Sequence, residues 1–204
     1  MHLVRETVEL LVQAAVACQL SDDLRGLRDR EWTALRFLAR ANRFSRTPSA
    51  LADYIGSTRA TATQIVKTLE ERSLVARKPS QRDKRSVVLC LTAQGERLLA
   101  QHDPISGVVN AVAALVTEDC VKLKDSLNAI LNRIDTPLPQ ANAGPCRDCI
   151  FLCSGNASPR PGSASARPGK ARSAPELRCR FHKAAILPDE TDLLCTSFER
   201  AGGG

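Results

Sequence analysis

The chain has 204 residues, 43% of them hydrophobic, and its 29 Lys and Arg against 22 Asp and Glu give a formal net charge of +7. That length holds one ordinary domain with an appendage or two small ones, and the apolar share excludes global disorder. A basic balance suits a polyanionic partner such as nucleic acid.

The apolar run "LLVQAAVAC", residues 10–18, is too short to span a membrane and is interrupted by Gln13. Glu6 and Glu9 stand where a secretory signal needs positive charge. A cytoplasmic protein with no membrane partner is therefore expected. In a reducing compartment, clustered cysteines bind metal or do redox chemistry more often than they form disulfides.

Taken in order, residues 3–20 repeat apolar positions at helical spacing (Leu3, Val4, Val8, Leu11, Ala15, Cys18). Asp29 is expected to cap a second helix with Trp32, Leu35 and Leu38 on one face. After the polar break "NRFSRTP", Thr47 followed by Pro48 marks the start of a third helix, and Gly56 ends it. Thr58 can cap a fourth, "RATATQIVKTLEERS", whose inward face is Ala62, Ile65, Val66 and Leu69.

The period then changes. "LVARK" and "SVVLCLT" read as two short strands around the basic turn "PSQRDKR". Helix, turn, helix and a basic hairpin form a winged helix-turn-helix arrangement. A helix resumes at Ala93 and is ended or kinked by Pro104. An apolar face continues over 105–116, and Thr117 is expected to cap a last helix with Leu123, Leu127, Ile130, Leu131 and Ile134 on one stripe, closed by Pro137 and Pro139. Residues 154–178, rich in Ser, Ala, Pro, Gly and Arg, cannot bury a core and are expected to form a mobile loop.

A helix can read the major groove when its outer face is polar and its inner face packs on the domain. Thr58, Arg59, Thr61, Thr63, Gln64 and Lys67 form such a face. Gln can bond an adenine edge, Thr can touch bases or phosphates, and Arg and Lys neutralise phosphates. The plainer alternative is a solvated face on a core helix. Arg77, Lys78, Arg82, Lys84 and Arg85 cluster on and beside the hairpin, whose basic tip suits the minor groove or adjacent phosphates; the alternative is a charged, soluble turn.

The stretches "LRDREWTALRFLA" and "TPSALADYIGSTRATATQIVKTLEERSLVARKPSQRDKRSVVLCLTAQGERLL" carry linked features in order: "T…LA", "T.T..V..LE", "LV.R", "D.R" and "LT..G". Over about 24–100 the chain resembles the MarR family of winged helix-turn-helix regulators. The resemblance implies a homodimer, held by helices from the two chain ends and bound to a pseudo-palindromic DNA site. It places the recognition helix at Thr58–Glu71, and the wing's Asp and Arg at Asp83 and Arg85, with Arg85 reaching the minor groove. One departure is Ser73, where the family commonly has Gly before "LV". Many members respond to a small molecule or an oxidant, so a small-molecule or redox effector is implied. Peroxide-sensing relatives carry a reactive Cys near Cys18, but the Tyr and Phe around it are missing here. Cys18 reads as a buried small hydrophobe. Cys90, on a strand facing the core, and Cys120, near a helix start, read as structural.

Five of the eight cysteines crowd the C-terminal third: Cys146, Cys149, Cys153, Cys179 and Cys195. A C-x2-C pair presents two thiolates to one metal from one turn. Cys146 and Cys149 are the firmest ligand candidates. Cys179 and Cys195 are the next, closing the site from distant chain, and Cys153 is a fourth ligand, a spare thiol or a redox reserve. His182 could substitute in a zinc site but reads more simply as a surface or stacking residue. With no second C-x2-C pair, either an iron–sulfur cluster or zinc fits an all-Cys site. Unliganded thiols are the remaining reading.

The expected architecture is mainly α with a small β-hairpin wing. Residues 1–136 hold the winged helix-turn-helix and dimerisation helices, with a DNA-binding core at 27–92. Residues 137–145 are a linker, and 146–199 a small cysteine-rich module with its insertion at 154–178. The expected function is a non-enzymatic, homodimeric regulator of double-stranded DNA with a Cys-ligated iron–sulfur or zinc centre; the centre either staples the tail, as a structural zinc would, or senses redox state or metal supply, its loss shifting the dimerisation helices. The rival is a redox or electron-transfer protein that uses the winged helix only as an interaction module.

Overall fold

The computed structural model describes residues 1–19, 25–80, 86–134, 143–155 and 176–200. Among the described residues, seven α-helices and seven short strands follow the chain in an order dominated by helix until Leu131. Helix α1 spans His2–Gln19, α2 Asp29–Arg40, α3 Pro48–Tyr54 and α4 Arg59–Glu71. Strands β1, Val75–Pro79, and β2, Val87–Leu91, pair antiparallel with Val75 opposite Leu91. Helices α5, Ala93–His102, α6, Ser106–Ala113, and α7, Thr117–Leu131, complete this part. Among the described residues no helix is long and apolar enough to cross a membrane.

Local chemistry sets the helix ends. The Thr47 hydroxyl accepts from the Ala50 amide at 3.2 Å, with Pro48 in the first turn of α3. At the end of α3 the Gly56 amide bonds Asp53 O and the Ser57 amide bonds Ala52 O, with Gly56 at φ +61°. This is the paired closure a left-handed residue makes possible. Helix α4 closes in the same way: the Ser73 amide bonds Glu70 O at 2.8 Å and the Leu74 amide bonds Leu69 O at 2.9 Å. Here the left-handed residue is Ser73, at φ +57°, so the position where the family commonly has Gly does adopt a conformation that favours Gly.

Two caps differ by one residue from their expected positions. Asp29 and Thr117 are the first residues of α2 and α7, and the caps are Arg28 and Val116. At α2 the Glu31 carboxylate turns back to the Arg28 amide at 2.8 Å, while Asp29 and Glu31 place negative charge in the first turn, where the helix dipole favours it. The last helix ends at Leu131, so Ile134 lies beyond it. Helix α5 ends before Pro104, and Pro137 and Pro139 fall outside the described residues.

The core gathers Trp32, Leu35, Phe37 and Leu38 of α2, Leu51 of α3, Ala62, Ile65, Val66 and Leu69 of α4, and Leu89 of β2. Strand alternation turns Leu89, not Cys90, to this core; Cys90 is half-buried on the other face, which corrects its expected placement. Cys18 is likewise half-buried rather than buried. Gly95 lets α5 approach the backbone just before β1, because a Cβ there would stand 2.2 Å from the Leu74 carbonyl oxygen.

The C-terminal part contains more regular structure than its sequence suggests. Strand β3, Gly144–Pro145, pairs with β7, Leu194–Cys195, so the end of the expected linker is already a strand. Strands β4, Leu152–Gly155, β5, Glu176–Cys179, and β6, Ala184–Ile186, form a three-stranded antiparallel sheet. The two ends of the stretch 154–178 are thus strand residues, and its middle lies outside the described residues.

Candidate nucleic-acid interface and four-cysteine site

Helix α4 presents two unlike faces. Ala62, Val66 and Leu69 are fully buried and Ile65 nearly so, while Thr58, Arg59, Thr63, Gln64 and Lys67 are exposed. Thr58 spends its hydroxyl on the Thr61 amide at 3.2 Å and meets the Thr61 hydroxyl at 3.0 Å. Thr61 is half-buried, so this pair shapes the start of the helix. Thr63 returns its hydroxyl to Arg59 O at 2.8 Å, and Lys67 pairs loosely with Glu71 at 3.8 Å. Arg59 and Gln64 are left facing outward with long polar side chains.

The wing is anchored to this helix. Arg77 of β1 pairs with Glu70 of α4 at 3.0 Å, which occupies one of the expected basic groups, while Lys78 is exposed. Arg82, Asp83, Lys84 and Arg85 lie outside the described residues. Behind the helix-turn-helix, Thr33, Arg36, Arg40, Tyr54, Leu99 and Val109 line a cavity of about 640 Å³. Arg36 pairs with Asp103 at its edge at 2.9 Å. Tyr54 stacks on Phe37, and burial pushes its phenol above the ordinary value of 10.0, against the pull of Arg40 and Arg36.

The second site is built from three separated pieces of chain. Cys146, Cys149, Cys179 and Cys195 line one small cavity, closed on its apolar side by Phe151 and Leu152. A single 3-10 turn at Cys146–Asp148, in which the Cys149 amide bonds Cys146 O at 3.1 Å, puts the first two cysteines one above the other. Cys179 ends β5, and its sulfur accepts the His182 amide at 3.4 Å, so a second sulfur-bonded turn exists although no second C-x2-C does. Cys195 comes from β7. Among the described residues no group of three or more His, Cys, Asp or Glu side chains already stands arranged to hold a metal ion; the four sulfurs surround the cavity instead.

Strand pairing decides Cys153. Leu152 lies opposite Cys179 and faces the cavity, whereas Cys153 lies opposite Arg178 on the other face and turns its thiol to Arg178 O at 3.3 Å. Cys153 therefore does not line the cavity, and of its three readings (fourth ligand, spare thiol or redox reserve) this placement suits the last two. His182 is a stacking residue: its ring lies on Phe44 with centroids 4.1 Å apart and planes 7° apart, while its Nε2 is 3.7 Å from the Cys195 sulfur. Burial pushes the Cys146 thiol up; the Asn42 hydrogen bond works against that, and the other three cysteines add to it.

Sequence reasoning missed what this site rests on. The break 42–48 reads only as a polar linker, yet Asn42 and Ser45 are among the most buried polar residues of the fold. Asn42 donates its side-chain amide to Cys146 Sγ at 3.6 Å and its backbone amide to Leu194 O at 2.8 Å. Its side-chain oxygen accepts the Phe44 and Ser45 amides, both at 3.0 Å. Ser45 Oγ accepts the Thr196 amide at 3.0 Å. Arg43 bonds Ala185 O and pairs with Glu190 at 3.5 Å. Asn followed by polar residues after a helix is a turn signal, but nothing in it says which chain will dock there.

Residues 25–86 match the sequence model of the MarR family. Over 74 residues the chain is 32% identical to the organic hydroperoxide resistance transcriptional regulator of Bacillus subtilis (strain 168), a span of 36% of this chain and 50% of that protein. The chain thus spans about half the length of the curated relative it matches. Among solved structures it is similar to a MarR transcriptional regulator from Methanosarcina mazei Go1, with a TM-score of 0.47 and 16% identity over 65% of this chain and 96% of that one. It is also similar to Streptococcus pneumoniae FabT in complex with DNA, with a TM-score of 0.43 and 21% identity over 64% and 91%. Residues 25–86, in which α2, α3 and α4 lead into the β1–β2 hairpin, are thus the part of the chain that resembles the MarR family.

Proposed function

We propose that the chain is a sequence-specific, double-stranded DNA-binding transcriptional regulator, cytoplasmic and without catalytic activity, that acts as a homodimer on a pseudo-palindromic site. The carrying observation is α4, with its core-facing apolar stripe and its exposed Arg59, Thr63, Gln64 and Lys67. A helix with these two faces can sit in the major groove while the domain behind it stays packed. Arg82, Lys84 and Arg85 of the wing add phosphate or minor-groove contacts in this reading.

Dimerisation is supported by apolar surface that one chain does not cover. Helices α6 and α7 have no buried residue, and Leu3, Val4, Val8, Leu10 and Val12 of α1 are all exposed. Contiguous exposed apolar surface marks a protein–protein contact. The cavity lined by Arg36, Arg40 and Tyr54 would admit a small-molecule effector. A centre ligated by Cys146, Cys149, Cys179 and Cys195, iron–sulfur or zinc, governs DNA binding in the same reading.

Titration of the full chain against DNA fragments selected from a random pool tests this. Affinity should reach about 10⁻⁸ M or tighter for a two-fold related sequence and fall steeply with salt. Binding without sequence preference, or with a flat salt response, would remove the regulator reading.

A further inference from the structure

We infer that the four-cysteine centre controls the DNA-reading domain through the loop 41–47, not through the dimerisation helices. The inference rests on the reading of the four cysteines as ligands of a thiolate-bound metal centre, a zinc ion or an iron–sulfur cluster. Loop 41–47 is a junction with three attachments. On one side it holds the cysteine module, through Asn42 to Cys146 Sγ and Leu194 O, Ser45 to Thr196, and Arg43 to Ala185 O. On another it holds the wing: the Leu89 amide of β2 bonds Arg46 O at 2.7 Å, and Arg46 Nε bonds Ala41 O at 3.0 Å. At its end Thr47 caps α3, the first helix of the helix-turn-helix. Against this, among the described residues the module reaches α7 through an exposed side-chain bond, Arg200 to Asn128 at 3.1 Å.

The chemistry of Asn42 makes the loop responsive to the centre. A metal-bound cysteine is a thiolate, and an amide N–H bonds an anionic sulfur more strongly than a neutral thiol. The same Asn42 side chain accepts the Phe44 and Ser45 amides with its oxygen, so one planar amide ties the sulfur to the turn. Loading the centre also fastens Cys195 to the distant Cys146 and Cys149. That holds β7 in place, and with it Leu194, which belongs to the core of the winged helix. Without the metal, β3 and β7 are held by two paired positions, and Leu194, Thr196 and the loop they brace loosen together. The wing and the start of α3 then lose their fixed geometry relative to α4.

The experiment uses the full chain purified without oxygen. Zinc, iron and acid-labile sulfide are measured first. One zinc, or iron with sulfide, per chain supports the ligand reading and distinguishes the two metals; a metal-free protein overturns that reading and the inference with it. DNA affinity is then measured before and after chelator treatment. Wild type should lose about tenfold or more on metal removal, as should Cys149→Ser, a size expected of coupling between two sites. Unchanged affinity after complete metal loss overturns the inference while leaving the metal site standing.

The variant R43A/S45A removes the side-chain attachments of the loop to Ala185, Glu190 and Thr196, leaves Asn42 and spares every cysteine, and Phe44→Leu is a milder cut that removes the stacking on His182. Either should keep its metal, bind DNA more weakly when loaded, and respond less to chelator than wild type. A full wild-type response to chelator in both variants would overturn the route through the loop.

Discussion

The side-chain amide of Asn42 and the sulfur of Cys146, 104 positions apart in sequence, meet at 3.6 Å in the interior of the protein. Asn42 follows Ala41, the C-cap of α2, and begins the turn to α3, and Cys146 opens the cysteine module. The contact makes the module part of the fold of the winged helix. Leu194 shows the same from the apolar side: it sits between Cys195 and the turn, 7% exposed, in the core cluster that includes Trp32 and Leu51.

Leu194→Ala should therefore destabilise the winged helix itself by about 2–5 kcal/mol, the usual range for truncating a buried leucine. Chemical denaturation followed at Trp32, the single tryptophan and a core residue, checks this. A transition at Trp32 that does not move would mean that Leu194 packs only within its own module.

Ser73→Gly should stabilise the chain by about 0.5–1 kcal/mol. Ser73 holds φ +57°, which costs an L-residue about 1–2 kcal/mol, partly offset by the greater freedom of Gly in the unfolded chain. The Thr92 hydroxyl bond at this position goes to the Ser73 carbonyl and survives the change. Loss of stability in urea titration would show that the Ser73 side chain has a role that the backbone does not explain.

Gly95→Ala acts in the other direction. The added carbon would stand 2.2 Å from Leu74 O, a backbone atom, so α5 or the chain at Leu74 has to move. A loss of about 1–3 kcal/mol is expected from overpacking of this kind. Thermal unfolding beside wild type gives the comparison, and an unchanged midpoint would contradict the close approach.

Gln64→Ala and Lys67→Ala should separate specificity from charge. Removing Gln64 should cost about 1–3 kcal/mol on the preferred site and little on random DNA. Removing Lys67 should weaken both alike and lower the salt slope by about one. Competition binding at several salt concentrations distinguishes the patterns, and identical behaviour of the two variants would count against α4 as the reader.

Tyr54 is the single tyrosine, so its titration can be followed by phenolate absorbance. Burial holds the folded phenol neutral above its ordinary value of 10.0. The unfolded chain then loses this proton first, so stability should fall as pH rises past 10.0, toward the raised folded value. A phenolate that forms below 10.0 would place Arg40 and Arg36 above burial as the dominant influence.

Much of the winged helix-turn-helix part was legible because its signals are local. Thr47–Pro48, Gly56 and Thr58 each fix a helix end through bonds to residues within four positions. The alternation around Leu89 was visible too, but its phase was not, and Cys90 was turned to the wrong face. In the cysteine module the strands are two to four residues long, and Leu152 finds Cys179 across an insertion. No period exists in such short pieces, so neither the sheet nor the outward turn of Cys153 could be read. The four lining cysteines were found by residue type, and the loop that carries them was missed because a buried Asn looks like any other polar turn residue.

Amide hydrogen exchange on the full chain, metal-loaded and after chelation, decides whether the cysteine centre braces the winged helix. Protection should fall on metal removal in the segments 143–155 and 176–200, and together with them in 41–47 and β2. Loss confined to the cysteine segments, with 41–47 and β2 as protected as before, would contradict the coupling.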